Sequence, residues 1–286
     1  MIVDKRYIRF KAHILERFEM NKAILSAATF AALTAAASAA DLPRRAFPPA
    51  PIPVPVFTWT GAYFGINAGY ITSTKDTART AGVFPANVGV LTGNRPGVLR
   101  LPQDGFTGGS QLGYNYQFTP GSGFVAGAEV DAGYTDLDRR RSVVGQAGGI
   151  STFRRAGDFL GTVRGRVGYA FDRVLVYGTG GFAYASERYA GLFQTARGDL
   201  NFFGSRARVE TGYAVGGGIE YALPTDSFLN VFHTNAVTVK AEALYYDLGQ
   251  RTLPLMATGR GAGAYVTRFQ NEGVLGRVGL NYKFGS

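Results

Sequence analysis

Three groups of residues carry side chains that could do chemistry. Glu129 and Asp131, with Glu210, Glu220 and Glu242 further along, supply carboxylates of the kind that work in pairs as general acid and base. Gly178-Thr179-Gly180-Gly181 has the glycine content of a phosphate-cradling loop, but it opens no helix and lies inside an alternating strand pattern. Its glycines read instead as close-packing or bend positions. Arg139, Arg140, Arg141, Arg154 and Arg155 crowd into one stretch, and guanidinium forks match phosphate geometry. Beyond these the inventory is thin. With no Cys, and with His13 and His233 as the two histidines, a thiol nucleophile, a Cys-ligated zinc and a disulfide frame are excluded. A lipid-modifying enzyme would need a Ser/His or His/acid constellation, and none is present. No catalytic residue, metal site or cofactor is assigned.

The elements that must position these residues have a period of two. Val274, Gly276, Val278, Leu280, Tyr282 and Phe284 point one way, and Arg277, Asn281 and Lys283 the other. At 209–221, Val209, Tyr213, Val215, Ile219 and Tyr221 oppose Glu210 and Glu220. Repeating the count gives strands at 61–72, 105–118, 123–136, 157–170, 173–187, 208–222, 236–248 and 273–284. Long and short gaps alternate between them. That asymmetry belongs to an antiparallel barrel with extracellular loops at one end and periplasmic turns at the other. Hydrocarbon offers no hydrogen-bond partners, so a sheet that spans it must join its last strand to its first. The expected fold is all-β, an eight-stranded antiparallel transmembrane β-barrel occupying 57–286. A soluble sandwich or lipocalin-like barrel is the alternative, but the polar set is too charged and too evenly shared among strands for it.

The segments before the barrel read differently. From Met20 a charged start leads into the apolar and small-residue stretch Ala23–Ala40, which ends in a small-residue cleavage site. Residues 20–39 are therefore expected to be a signal peptide, and 1–19 an extension from an early start. Their removal takes away six bases and three acids, so the net charge falls from +10 to +7. Export makes nucleic acid an unsuitable partner. Residues 40–56 form a proline-rich periplasmic spacer that favours extended polyproline II.

By parity the polar face carries Glu129, Asp131, Arg164, Arg166, Glu210, Glu220, Lys240, Glu242, Arg277 and Lys283. Five are acids and five are bases. Inside an eight-stranded barrel, which side chains can fill, they must satisfy one another or line an ion-selective pore. The balance of sign favours a packed network. Arg139, Arg140, Arg141, Arg154 and Arg155 fall in the second extracellular gap. Two readings stand side by side there: contact with lipopolysaccharide phosphates or another anionic surface, and a solvated loop.

Ala39-Ala40-Asp41-Leu42-Pro43, the proline spacer, Phe57-Thr58-Trp59-Thr60-Gly61-Ala62-Tyr63-Phe64-Gly65, Asn67-Ala68-Gly69-Tyr70 and the ending Arg277-Val278-Gly279-Leu280-Asn281-Tyr282-Lys283-Phe284 carry a resemblance. The chain resembles the small immunogenic outer-membrane β-barrel proteins of alphaproteobacteria, within the OmpA-like barrel group. The resemblance implies a surface-exposed barrel among outer-membrane lipids and lipopolysaccharide. It also implies recognition by the barrel-assembly machinery through a terminal aromatic strand, here Tyr282 and Phe284. Attachment of the mature N-terminus, Ala40-Asp41, to peptidoglycan is a further implication. The chain departs from the pattern by ending Phe284-Gly285-Ser286. Some relatives of this kind are called porins or heme binders, and a narrow porin or a ligand-binding outer-membrane protein, with heme or a host surface as its ligand, is the alternative to a structural barrel supporting envelope integrity.

Overall fold

The computed structural model describes residues 56–224, 227–231, 234–259 and 263–284. The chain divides into two units, Met1–Val54 and Pro55–Ser286, and the second is the barrel. The extension, the signal segment, Ala40 and Asp41 lie outside the described residues, as do His233, Gly285 and Ser286.

Alternating apolar and polar side chains, rich in aromatic and β-branched types, suit a pleated backbone whose two faces meet different surroundings. Among the described residues this gives β1 Gly61–Lys75, β2 Thr77–Gly82, β3 Val98–Arg100, β4 Asp104–Gln117, β5 Ser122–Val144, β6 Ile150–Phe171, β7 Val174–Gln194, β8 Leu200–Ala222, β9 Ala236–Ala257 and β10 Ala264–Phe284. The eight expected strands correspond to β1 and β4 to β10. Each pairs antiparallel with its neighbour, and β1 pairs with both β4 and β10, so the ring closes.

Two features of the long gaps depart from expectation. The first gap contains β2 and β3, with β2 laid along the upper half of β10. The others are largely strand rather than loop: β5 and β6 stay paired to Val144 and Ile150, and β6 and β7 to Ile150 and Gln194. Nothing ends a ladder where the bilayer ends, provided its inner face remains apolar, and here Phe153, Tyr189, Phe193, Leu253 and Leu255 keep it so. Two discontinuities interrupt this upper wall. The upper edge of β5 has no strand beside it and is bridged instead by side chains, Arg139 donating to the Asp104 carbonyl and Arg141 to that of Arg100, each at 2.9 Å. Between β8 and β9 the register breaks from Phe203 to Tyr213, opposite a stretch containing Pro254, which has no N–H to give.

The outward face carries two aromatic girdles. Near the short turns Phe124 and Tyr169 meet edge to face, with Phe171 beside them. Toward the extensions lie Tyr70 with Phe106, and Tyr213 with Tyr245. On β5 the girdles are marked by Phe124 and Tyr134, 64% and 65% exposed. That separation of ten residues, at about 3.3 Å per residue and a tilt of roughly 40°, covers about 25 Å, the height of an outer-membrane hydrocarbon band.

Candidate functional site

Read upward along β6, the barrel interior is a stack of layers. Ala170 belongs to an apolar floor with Trp59, Val125, Leu175, Tyr177 and Ala222. Trp59 is 1% exposed, its indole N–H donates to the Asp172 carbonyl and its backbone N–H to Gln117 Oε1. Trp59 thus caps the lumen at the end of the short turns. Sequence parity gave Trp59 no role, because it precedes the first strand.

Arg166 and Arg164 enter the next layer. Arg164 lies 2.6 Å from Glu129, 3.0 Å from Glu242 and 3.1 Å from Asp131. Arg277 approaches the same three carboxylates, Glu242 at 2.6 Å. Lys240 donates to both oxygens of Glu129, at 2.8 and 2.9 Å. Arg166 pairs with Glu220 at 2.9 Å and lies 3.6 Å from Glu129. Four acids (Glu129, Asp131, Glu220, Glu242) and four bases (Arg164, Arg166, Lys240, Arg277) therefore form one connected, neutral network. All eight are buried.

Neutral donors join it, although Arg166 Nε is left without a hydrogen-bond partner among the described residues. Tyr63 and Tyr177 donate to Glu129 and Glu242, Thr162 to Asp131, and Thr238 and Asn281 to Glu220. Isolated charges could not be held here, because the desolvation of each ion has to be offset by ionic and hydrogen-bond partners. The tyrosines were legible in principle, since Tyr63 shares the parity of Asn67. Glycine makes the room: a Cβ on Gly113 would come within 2.3 Å of the Tyr63 ring, and one on Gly65 within 2.0 Å of Asn281.

Above the network come Leu160 and a second apolar layer with Ile71, Leu137, Leu244, Leu248 and Leu275. The cavity between Ile71, Leu137, Leu160, Tyr246 and Glu187 is ≈ 10 Å³, room for about one water. Next lies a smaller ionic layer. Arg155, 3% exposed, pairs with Glu187 at 3.2 Å, donates to the Gln270 carbonyl and lies over the Tyr189 ring. Glu210 accepts from Tyr189 and Asn271 and pairs with Arg251. The aromatic cluster of Phe153, Phe193, Tyr265 and Phe269 follows. Arg95, from the segment between β2 and β3, lies over the Phe193 ring and donates to the carbonyls of Ile150 and Gln194.

Of the ten charges expected on the inner face, the structure joins eight. Glu210 is buried but belongs to the upper ionic layer, and Lys283 is buried near the floor, 5.9 Å from the Phe57 ring. The five-arginine group is corrected. Arg155 does not share a loop with the others: it alternates with Arg154 on a strand, so one points in and the other out. Arg139, Arg140, Arg141 and Arg154 are exposed on the β5–β6 extension rather than in a loop. Tyr282 and Phe284 keep the outward parity, 9% and 47% exposed. Gly178–Gly181 lie within β7. Among the described residues no group of acidic or histidine side chains is arranged to hold a metal ion.

Residues 25–284 match the outer membrane protein beta-barrel domain. The chain is 33% identical to a 31 kDa outer-membrane immunogenic protein of Brucella melitensis, over 92% of this chain and 100% of that relative. It is 25% identical to a 25 kDa outer-membrane immunogenic protein of Brucella abortus, over 91% of this chain and 97% of the relative. Among solved structures, the outer membrane protein OprG of Pseudomonas aeruginosa is similar at a TM-score of 0.49 and 16% identity, covering 79% of this chain and 98% of that one.

Proposed function

The chain belongs to the outer membrane protein beta-barrel family, with the immunogenic outer-membrane proteins among its relatives, and from that premise we propose that it is a closed, non-catalytic barrel supporting the cell envelope. The observation that carries this reading is the neutral network around Glu129, Arg164 and Glu242, set between apolar layers. A conducting pore needs a continuous wet path and usually an excess of one sign. The refolded barrel in planar bilayers is expected to show no steady single-channel steps. Regular ion-selective steps would replace this reading with the narrow-porin one.

The second part of the reading is attachment. A free Ala40-Asp41 terminus, carried by a stiff spacer, would reach toward the cell wall: Pro43–Pro55 at about 3.1 Å per residue extends roughly 40 Å. Sacculi digested with muramidase are expected to release a peptide of this chain joined to a muropeptide. Their release without it would leave the spacer a linker.

The third part is assembly. Phe284, exposed on the outward face at the end of β10, offers the assembly machinery an apolar edge. Phe284→Ala is expected to lower the folded, heat-modifiable band in the outer membrane far more than deletion of residues 285–286. Equal yields would place the signal elsewhere.

A further inference from the structure

Inside the barrel the charges are spent on one another, whereas the outward face of the β5–β7 extension holds a cation that is not. Arg140 on β5 lies directly opposite Arg154 on β6, and Ala190 of β7 completes the row. Like charges directly opposite across a ladder are unfavourable. Asp138 relieves Arg154, which donates to it from Nε at 3.0 Å and Nη2 at 2.5 Å. Arg188 is likewise held by Asp158. Among the described residues no carboxylate lies within ion-pair distance of Arg140. Arg140, Thr152, Arg154, Ala190 and Leu192 line an outward groove of ≈ 140 Å³.

The neighbouring arginines do different work. Arg155 is inside, and Arg139 and Arg141 reach the carbonyls that bridge the β5 edge. That leaves the Arg140 fork unpaired, with Arg154, whose Nε and Nη2 are held by Asp138, directly opposite it over a floor of small and apolar side chains. Such a pairing fits a doubly charged oxyanion carried on something with an apolar face. Height narrows the choice. Arg140 lies six residues beyond Tyr134 of the upper girdle, with one bulge between, which places it roughly 12–15 Å above the hydrocarbon edge. Phospholipid headgroups extend only about 5–8 Å beyond the hydrocarbon. The oxyanion must then belong to a larger headgroup.

We propose that this face binds a phosphorylated saccharide in the core of the outer-leaflet glycolipid, with the Arg140 fork and the remaining Nη1 of Arg154 on one phosphate and Ala190 and Leu192 under the sugar. The proposal rests on the upper half facing outward from the cell. Refolded barrel in zwitterionic micelles is mixed with lipopolysaccharide bearing a phosphorylated core, with the same material after phosphatase treatment, and with the phosphorylated lipid anchor lacking a core. Bound glycolipid is counted by native mass spectrometry. Only the first is expected to stay bound. Arg140→Ala with Arg154→Ala should weaken it roughly tenfold or more, and Arg197→Ala, in the exposed turn after β7, should not. Arg140→Gln, which breaks no ion pair, repeats the test if the double variant fails to fold. Equal retention after phosphatase treatment, equal retention of the coreless anchor, or no loss in both Arg140 variants would overturn the proposal. The micelle assay depends neither on conductance nor on cell-wall attachment, so its failure leaves the closed-barrel reading standing.

Discussion

The Glu129 network and the Arg140–Arg154 face are built from the same residue types and differ in what surrounds them. Around Glu129 each ion is buried and meets several partners, so the side chains have no alternative to one another. On the outer face the Arg154–Asp138 pair is bidentate, yet its members are 57% and 47% exposed and water competes for every bond. Distance alone does not separate the two: 2.6 Å for Arg164–Glu129 and 2.5 Å for Arg154–Asp138. Burial decides which contact is structural and which leaves charge available to a partner.

Charge reversal at the centre of the buried network should have the largest effect. Arg164→Glu removes the base that touches Glu129, Asp131 and Glu242 and adds a fourth carboxylate beside them, so a loss well above the ~3–5 kcal/mol of a broken buried pair is expected. Urea unfolding of the refolded barrel measures it. A change near zero with altered ion selectivity in bilayers would mean that the lumen is wet.

The upper ionic layer tests whether connectivity or burial matters. Arg155–Glu187 is a buried pair outside the Glu129 network. Arg155→Met alone should cost about 3–5 kcal/mol, whereas Arg155→Met with Glu187→Leu should be near neutral. The same unfolding assay reads both. A double variant as unstable as the single one would show that this pair also supports Tyr189 and Gln270.

On the exposed face, Asp138→Ala should leave unfolding unchanged within error, since solvent screens such pairs. Its effect should appear in titration instead. Hydrogen bonds from Arg154 hold the Asp138 carboxyl below its ordinary value of 3.8. A depressed carboxylate adds stability above its unfolded pKa and loses it as pH falls through the folded one, so the pair should persist from neutral pH to below the ordinary carboxyl midpoint of 3.8. Carboxyl NMR shifts should show the Asp138 midpoint rising in Arg154→Ala. An unmoved midpoint would mean that the bidentate contact is absent in solution.

Closure followed from the cost of an open edge in hydrocarbon. The eight strands and their inner face were legible in the residues because a period of two is local: the pattern Arg277-Val278-Gly279-Leu280-Asn281-Tyr282-Lys283 states which way each side chain points whatever lies across the barrel. Charge balance was legible for the same reason. Length was not. The bilayer sets how far a strand must run, not how far it can run, and treating residues past the hydrocarbon as loop hid the fact that consecutive Arg154 and Arg155 must face opposite ways. Partnership across the lumen was beyond any local pattern. That Lys240 meets Glu129, that Trp59 plugs the floor and that Glu210 belongs to a separate layer depend on the shear of the closed ring, which brings together residues far apart in sequence. Only the tertiary structure fixes that stagger, and with it which of the barrel's charges are neutralised inside and which remain on the surface.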